Sequence, residues 1–205
     1  MTEDVPSPID LRDPADARAW IRDAEARRPW REQVRAAFAR VLGAAPVRRV
    51  LEIGSGPGLL AERVLRTCEI ESYTLFDFSE PMLQLARERL GADPAASFVL
   101  GDFKQAGWTA RLAAPFDAIL AMQSVHEIRH KRHVPALYRE LHAIVRPGGL
   151  LLVCDSVPPD ESARMTALHS TEAEQHHAMT TAGFADVMTE LVVHGLYLCS
   201  SRRTT

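Results

Sequence analysis

Apolar residues fall at helical spacing over the first part of the chain and then switch to short unbroken blocks. Ala17, Trp20, Ile21 and Ala24 share one face of a helix that Asp13 caps with Pro14 in its first turn. After Pro29 the spacing resumes with Trp30, Val34, Ala37, Phe38 and Val41, and Gly43 and Pro46 end it. From Arg48 onward, apolar blocks at 48–53, 72–77, 97–101, 116–122 and 149–154 read as buried strands. Helical patterns near 58–67, 80–90, 105–112 and 134–145 separate them. That alternation predicts an α/β fold, a doubly wound and mostly parallel sheet with helices on both faces. Past a helix at 171–182, the run from Ala185 to Ser201 divides at His194-Gly195 into two strand-like stretches. A C-terminal antiparallel hairpin is the simple reading, for seven strands in all.

With 205 residues the chain has room for one compact domain. Residues 1–12 read as a mobile arm, 1–46 together as an arm and helical cover, and 47–205 as the core. The segment from Ser156 to His169 is the one long connection, and it is partly helix-compatible.

Composition narrows the function classes. Hydrophobic residues at 46% and charged residues at 25% suit a folded globular chain. A net charge of −3 provides no broad positive field for a phosphate backbone, so nucleic acid is not an expected partner. The N-terminus carries no apolar signal region and no stretch is long enough to span a bilayer, so a cytoplasmic protein without a membrane partner is expected. Cys68, Cys154 and Cys199 lie far apart, as free thiols in a reducing compartment would.

The strongest local signal is Val50-Leu51-Glu52-Ile53-Gly54-Ser55-Gly56-Pro57-Gly58, a strand running into three alternating glycines and then an apolar helix. Glycine lets the backbone turn tightly and approach a ligand without Cβ atoms in the way. The second and third glycines stand two apart with a proline between them, whereas a dinucleotide fingerprint needs three, which weakens an NAD-binding reading. Asp77 ends the second strand beside this loop, where a carboxylate accepts hydrogen bonds from both hydroxyls of a ribose. Ser79 caps the following helix, which leaves Asp77 uncommitted.

Four segments in order, VLEIGSGPG, LFDFSEPMLQLAR, Gly101-Asp102-Phe103 and Arg146-Pro147-Gly148-Gly149, resemble the motifs of class I (Rossmann-like) S-adenosylmethionine-dependent methyltransferases. The likeness covers residues 48–201. It implies an enzyme that uses S-adenosylmethionine and releases S-adenosylhomocysteine. By similarity, Gly54, Ser55, Gly56 and Gly58 would lie under the methionine part and ribose, and Glu52 would place the amino group. Asp77 would hold the ribose; Phe78 and Met82 would contact the adenine, Asp102 would accept from its amine, and Phe103 would pack on the ring. Gln123 and Ser124 would border the cofactor's amino end and the substrate.

His126, just past the fourth strand, is the candidate general base and a candidate substrate contact. The stretch from His126 to His130 matches the zinc-protease pattern H-E-x-x-H, but it follows a strand instead of lying within a helix, so no metal is expected. Arg129, Lys131 and Arg132, with His130 and His133, form a basic cluster that either attracts an anionic substrate or is a solvated loop. In the N-terminal helices, Trp30 and Arg31 are candidate substrate contacts, with Trp20 and Arg28 nearby, in a region that family members use as a lid. The reading that results is transfer of a methyl group to a small-molecule acceptor at O, N or S. Methylation of RNA or protein, and a catalytically silent cofactor-binding module, are the alternatives, and the oligomeric state stays open.

Overall fold

The computed structural model describes residues 3–204, apart from the side chain of Glu25. Helices α1 (Pro14–Arg27) and α2 (Arg31–Gly43) precede β1 (Arg49–Ile53), α3 (Leu59–Thr67), β2 (Ser72–Asp77), α4 (Glu80–Leu90) and β3 (Ala96–Leu100). Then come β4 (Phe116–Met122), α5 (Val134–Ile144), β5 (Val145–Ser156), α6 (Ala163–Leu168), α7 (Glu172–Thr181), β6 (Phe184–Val193) and β7 (Leu196–Arg203). They build one seven-stranded sheet in the order β3-β2-β1-β4-β5-β7-β6. The first five strands are parallel, and β7 runs antiparallel between β5 and β6. The doubly wound sheet with its terminal hairpin is as the sequence predicts.

Strand alternation sorts the core into two layers. Leu51 and Ile53 pack with Phe76, Ile119 and Leu141 on one face, while Val50 packs with Phe38, Val64 and Tyr73 on the other. Glu52 shares the face of Val50, so the period of two places a carboxylate among apolar side chains, where it is 2% exposed. Asp13 caps α1 as expected, accepting from the amides of Ala15 and Asp16. Cys154 and Cys199 are buried, and the three cysteines are free thiols. Among the described residues, no helix is long and apolar enough to cross a membrane.

Two expectations change. The stretch 105–112 is not an α-helix: Gly107 takes a left-handed conformation and only Trp108–Arg111 closes a 3₁₀ turn before Leu112 becomes extended. The arm is not loose over its described part, residues 3–12. The Arg129 guanidinium donates to the carbonyls of Val5 and Pro6 at 2.7 and 2.8 Å, and the Val5 amide returns a bond to the Arg129 carbonyl at 2.8 Å. Val5 is buried with Ala167 and Leu168. A polar, proline-containing sequence gives no hint of this, because the anchor lies more than a hundred residues away.

Candidate cofactor and acceptor site

Strand order reverses at β1, and in open α/β sheets a crevice opens outside the carboxyl ends of the strands at such a point. The loop after β1 lies there. Gly54 has φ +62°, and a Cβ on it would fall 2.4 Å from the Ser124 Cβ, so neither another backbone shape nor another side chain fits. The amides of Gly54 and Ser55 donate to the Phe76 carbonyl, locking the loop to the end of β2. Gly58, at φ +76° and the N-terminus of α3, packs close to Ala86; it supports the loop and does not line the cavity.

A cavity above this loop is lined by Glu52, Gly54, Ser55, Gly56, Asp77 and Phe78, and also by Met82, Phe103, Gln123, Ser124 and His126. Trp20, Arg28, Arg31 and Arg35 close it from α1, α2 and their connection, and Ile9 and Leu11 of the arm complete the cover. Sequence reasoning missed Ile9, Leu11 and Arg35, whose positions depend on how the arm and α2 dock.

Two buried acids face one side. Asp77 Oδ1 accepts from the Ser79 amide at 2.9 Å and Oδ2 from the Gly56 amide at 2.7 Å. Burial pushes its carboxyl up to about 6, against the pull of these amides. Glu52 accepts from the Tyr73 hydroxyl at 2.7 Å, yet burial, with a smaller contribution from the charge of Asp77, pushes it up to about 8. A pocket with two acids desolvated in this way favours a ligand that brings hydroxyls and a cation.

Other expected contacts divide. Phe78 lies under the Arg12 guanidinium, 4.8 Å from its ring centroid, so the arm covers the wall assigned to adenine. Asp102 does not line the cavity: its carboxylate faces Arg12 at 3.7 Å and Lys104 at 3.8 Å and accepts from the Lys104 amide. The expected bond from Asp102 to an adenine amine is therefore not supported, because the arm and its own turn engage this group. Ser124 borders the cavity, but its hydroxyl donates to the Ile53 carbonyl at 2.8 Å, tying the loop after β4 to β1. Gln123 adopts φ +54°; among the described residues its Oε1 and the Ser55 hydroxyl are buried without a hydrogen-bond partner. Arg31 lies on the cavity wall with its guanidinium 5.5 Å from the Trp20 ring centroid. Trp30 does not reach the cavity and instead stacks on His194 at 4.4 Å, which corrects its assignment to substrate.

His126 is on the cavity wall, beside two carboxylates. Its Nδ1 lies 2.7 Å from Asp155 Oδ1 and its Nε2 3.4 Å from Glu127 Oε1. Burial disfavours a charged ring, yet the two carboxylates, Asp155 foremost, outweigh it and push His126 up to about 10. Both ring nitrogens thus face carboxylate oxygens, which favour the protonated ring. His169 lies beside it, with ring centroids 5.0 Å apart. Asp155 and His169 were missed because their partnership with His126 joins three separate segments.

The H-E-x-x-H pattern does not assemble. Val125–Ile128 is a single 3₁₀ turn ended by Arg129 at φ +70°, and His130 Nδ1 accepts from the Arg132 amide. The basic cluster is engaged internally: Arg129 holds the arm, Lys131 pairs with Glu174 at 2.6 Å, and Arg132 and His133 meet Asp4 at 2.7 and 2.9 Å. Those contacts remove the basis for reading it as an anion site.

Residues 50–149 match a methyltransferase domain. The phthiotriol/phenolphthiotriol dimycocerosates methyltransferase 1 of Mycobacterium ulcerans is 32% identical over 120 residues, covering 58% of this chain and 42% of that protein. The demethylmenaquinone methyltransferase of Chlamydia felis is 30% identical over 135 residues, covering 64% and 54%. The chain thus spans about half the length of these curated relatives. Among solved structures, an O-methyltransferase family protein from Burkholderia thailandensis superposes with a TM-score of 0.75 at 20% identity, covering 93% of this chain and 60% of that one. The DhpI complex with S-adenosylhomocysteine has a TM-score of 0.72 at 21% identity, covering 93% and 95%. With the glycine loop, the strand-end acid and the 3-2-1-4-5-7-6 sheet already in place, these matches show a methyltransferase domain over residues 50–149 and the fold of S-adenosylmethionine-dependent methyltransferases.

Proposed function

We propose that this chain binds S-adenosylmethionine in the cavity above the β1 loop and methylates a small-molecule acceptor. The observation that carries the reading is the meeting, in one covered cavity, of the glycine loop, two desolvated acids, and the unpartnered Gln123 Oε1 and Ser55 hydroxyl. Those groups fit the cofactor: acids for an ammonium and ribose hydroxyls, free polar atoms for its amino-acid end, and Phe78, Met82 and Phe103 as apolar walls.

When bound, S-adenosylmethionine supplies an electrophilic methyl group on a sulfonium. The residues then have mainly to orient and to exclude water. Asp77, held by Gly56 and Ser79, presents its remaining lone pairs to the ribose, and Glu52 faces the ammonium. Trp20, Leu11 and Ile9 cover the site, as parts of a lid formed by the described residues up to 46 over the core that follows. Acceptor space lies between Arg31 of the cover and His126 of the core, a size and enclosure that suit a small molecule. The relatives' names, which specify a lipid and a quinone precursor, support that class. A cytoplasmic location accords with the free buried thiols.

Calorimetric titration with S-adenosylhomocysteine tests the cofactor, and transfer of a labelled methyl group to a panel of hydroxyl, amine and thiol compounds tests the acceptor. Absence of S-adenosylhomocysteine binding by folded protein would overturn the reading; label found only in RNA or protein would overturn the small-molecule part.

A further inference from the structure

Behind the cavity wall, three side chains from separate segments converge: His126 after β4, Asp155 near the end of β5, and His169 after α6. One potential ligand atom from each lies within 4.8 Å of the others. We infer that His126, Asp155 and His169 form a two-histidine, one-carboxylate site for a divalent transition metal of the zinc, manganese, iron or cobalt type. For the role of that metal, though not for its binding, the inference rests on the methyltransferase reading above.

The donor set decides the class of ion. Two imidazoles and one carboxylate suit borderline first-row metals, whereas magnesium and calcium prefer oxygen donors throughout. Distance is compatible with a small adjustment. With metal bonds of about 2.0–2.2 Å, ligand atoms around one ion stand roughly 3–4 Å apart. Metal binding releases the proton that His126 shares with Asp155, so that their 2.7 Å contact opens slightly while the farther pair closes.

Neighbouring groups hold the ligands as an outer layer of a metal site does. Ser156 Oγ lies 2.9 Å from His169 Nδ1, fixing that ring and leaving its other nitrogen for a metal. The Asp155 carboxylate accepts from the amides of Ser156 and His126 and is only 5% exposed. His126 also lines the acceptor end of the cavity, so an ion on its ring would stand at that wall. Three protein ligands leave positions open for an acceptor oxygen, whose proton a Lewis acid makes easier to lose. The site thereby selects acceptors with a hydroxyl or enol, or a pair of chelating oxygens.

The probe is cobalt(II), added to chelator-treated full-length protein and followed by visible ligand-field absorption. The expected result is a band that saturates at one equivalent, is displaced by zinc, and weakens more than tenfold in affinity in His169→Ala and in Asp155→Asn. S-adenosylhomocysteine titration of the same preparations shows that each variant keeps its cofactor cavity. Failure of the wild type to develop the band, or full retention of it by folded His169→Ala, overturns the site. Cobalt binding without S-adenosylhomocysteine binding would leave the metal site standing and remove the methyltransferase reading; the reverse pattern removes the metal site alone.

Discussion

The Gly56 amide donates to Asp77 Oδ2 at 2.7 Å, so the carboxylate that ends β2 is bound to the middle of the β1 loop. One residue thus shapes the loop and also faces the space above it. Asp77→Ala removes both the ribose acceptor and the partner of the Gly56 and Ser79 amides. S-adenosylhomocysteine affinity is expected to fall at least tenfold, a loss of about 1.4 kcal/mol or more for a charged acceptor. Calorimetry on wild type and variant, with circular dichroism as the folding control, checks this; unchanged affinity would refute the ribose assignment.

Rising pH, not acid, works against the two buried carboxyls of the cavity. Glu52 rises from 4.5 to about 8 and Asp77 from 3.8 to about 6, burial being the main cause for both. The native state therefore holds more protons than the unfolded state between these limits, and stability falls as pH rises through them. Since a tenfold change in ionisation is worth about 1.4 kcal/mol, the loss from pH 5 to pH 8 should reach a few kcal/mol. Thermal unfolding across that range should show a falling midpoint, and Glu52→Gln should flatten the upper part of the curve.

Glycines two positions apart should differ sharply. Gly54→Ala meets the Ser124 Cβ at 2.4 Å and keeps a positive φ, so a destabilisation of about 3 kcal/mol is expected. At Gly56 an added Cβ meets no protein atom, and only the left-handed backbone costs, about 1 kcal/mol. Denaturant midpoints separate the two, and equal losses would contradict the packing argument.

The arm depends on Arg129. Arg129→Ala deletes the bonds to the Val5 and Pro6 carbonyls and should expose residues 3–12 to proteolysis while the sheet stays intact. Because Ile9 and Leu11 cover the cavity, S-adenosylhomocysteine should leave several times faster, as stopped-flow displacement would measure. Proteolysis before Asp13 at the wild-type rate would refute the anchoring role.

Two tryptophans separate cover from support. Trp20 lines the cavity and Trp30 stacks on His194 outside it. Trp20→Ala should weaken S-adenosylhomocysteine or acceptor binding several-fold, whereas Trp30→Ala should alter thermal stability and leave binding unchanged. Calorimetry and melting curves on the pair test the distinction.

The sheet, its order of elements and the glycine loop were legible because they arise from local rules. Unbroken apolar blocks such as those in β1 and β2 must be buried on both faces, alternation with helices calls for parallel strands, and Gly54 and Asp77 carry their chemistry at strand ends. Helix 105–112 was misread because an apolar spacing does not reveal that Gly107 turns left-handed. What only the tertiary structure decided is partnership across long separations. Asp155 and His169 join His126, Arg129 grips Val5, and Arg12 meets Asp102 outside the cavity lining. Short-range pattern specifies where a side chain stands on its own element, whereas the energy of a buried charge or a docked arm depends on groups that only folding brings within a few ångströms.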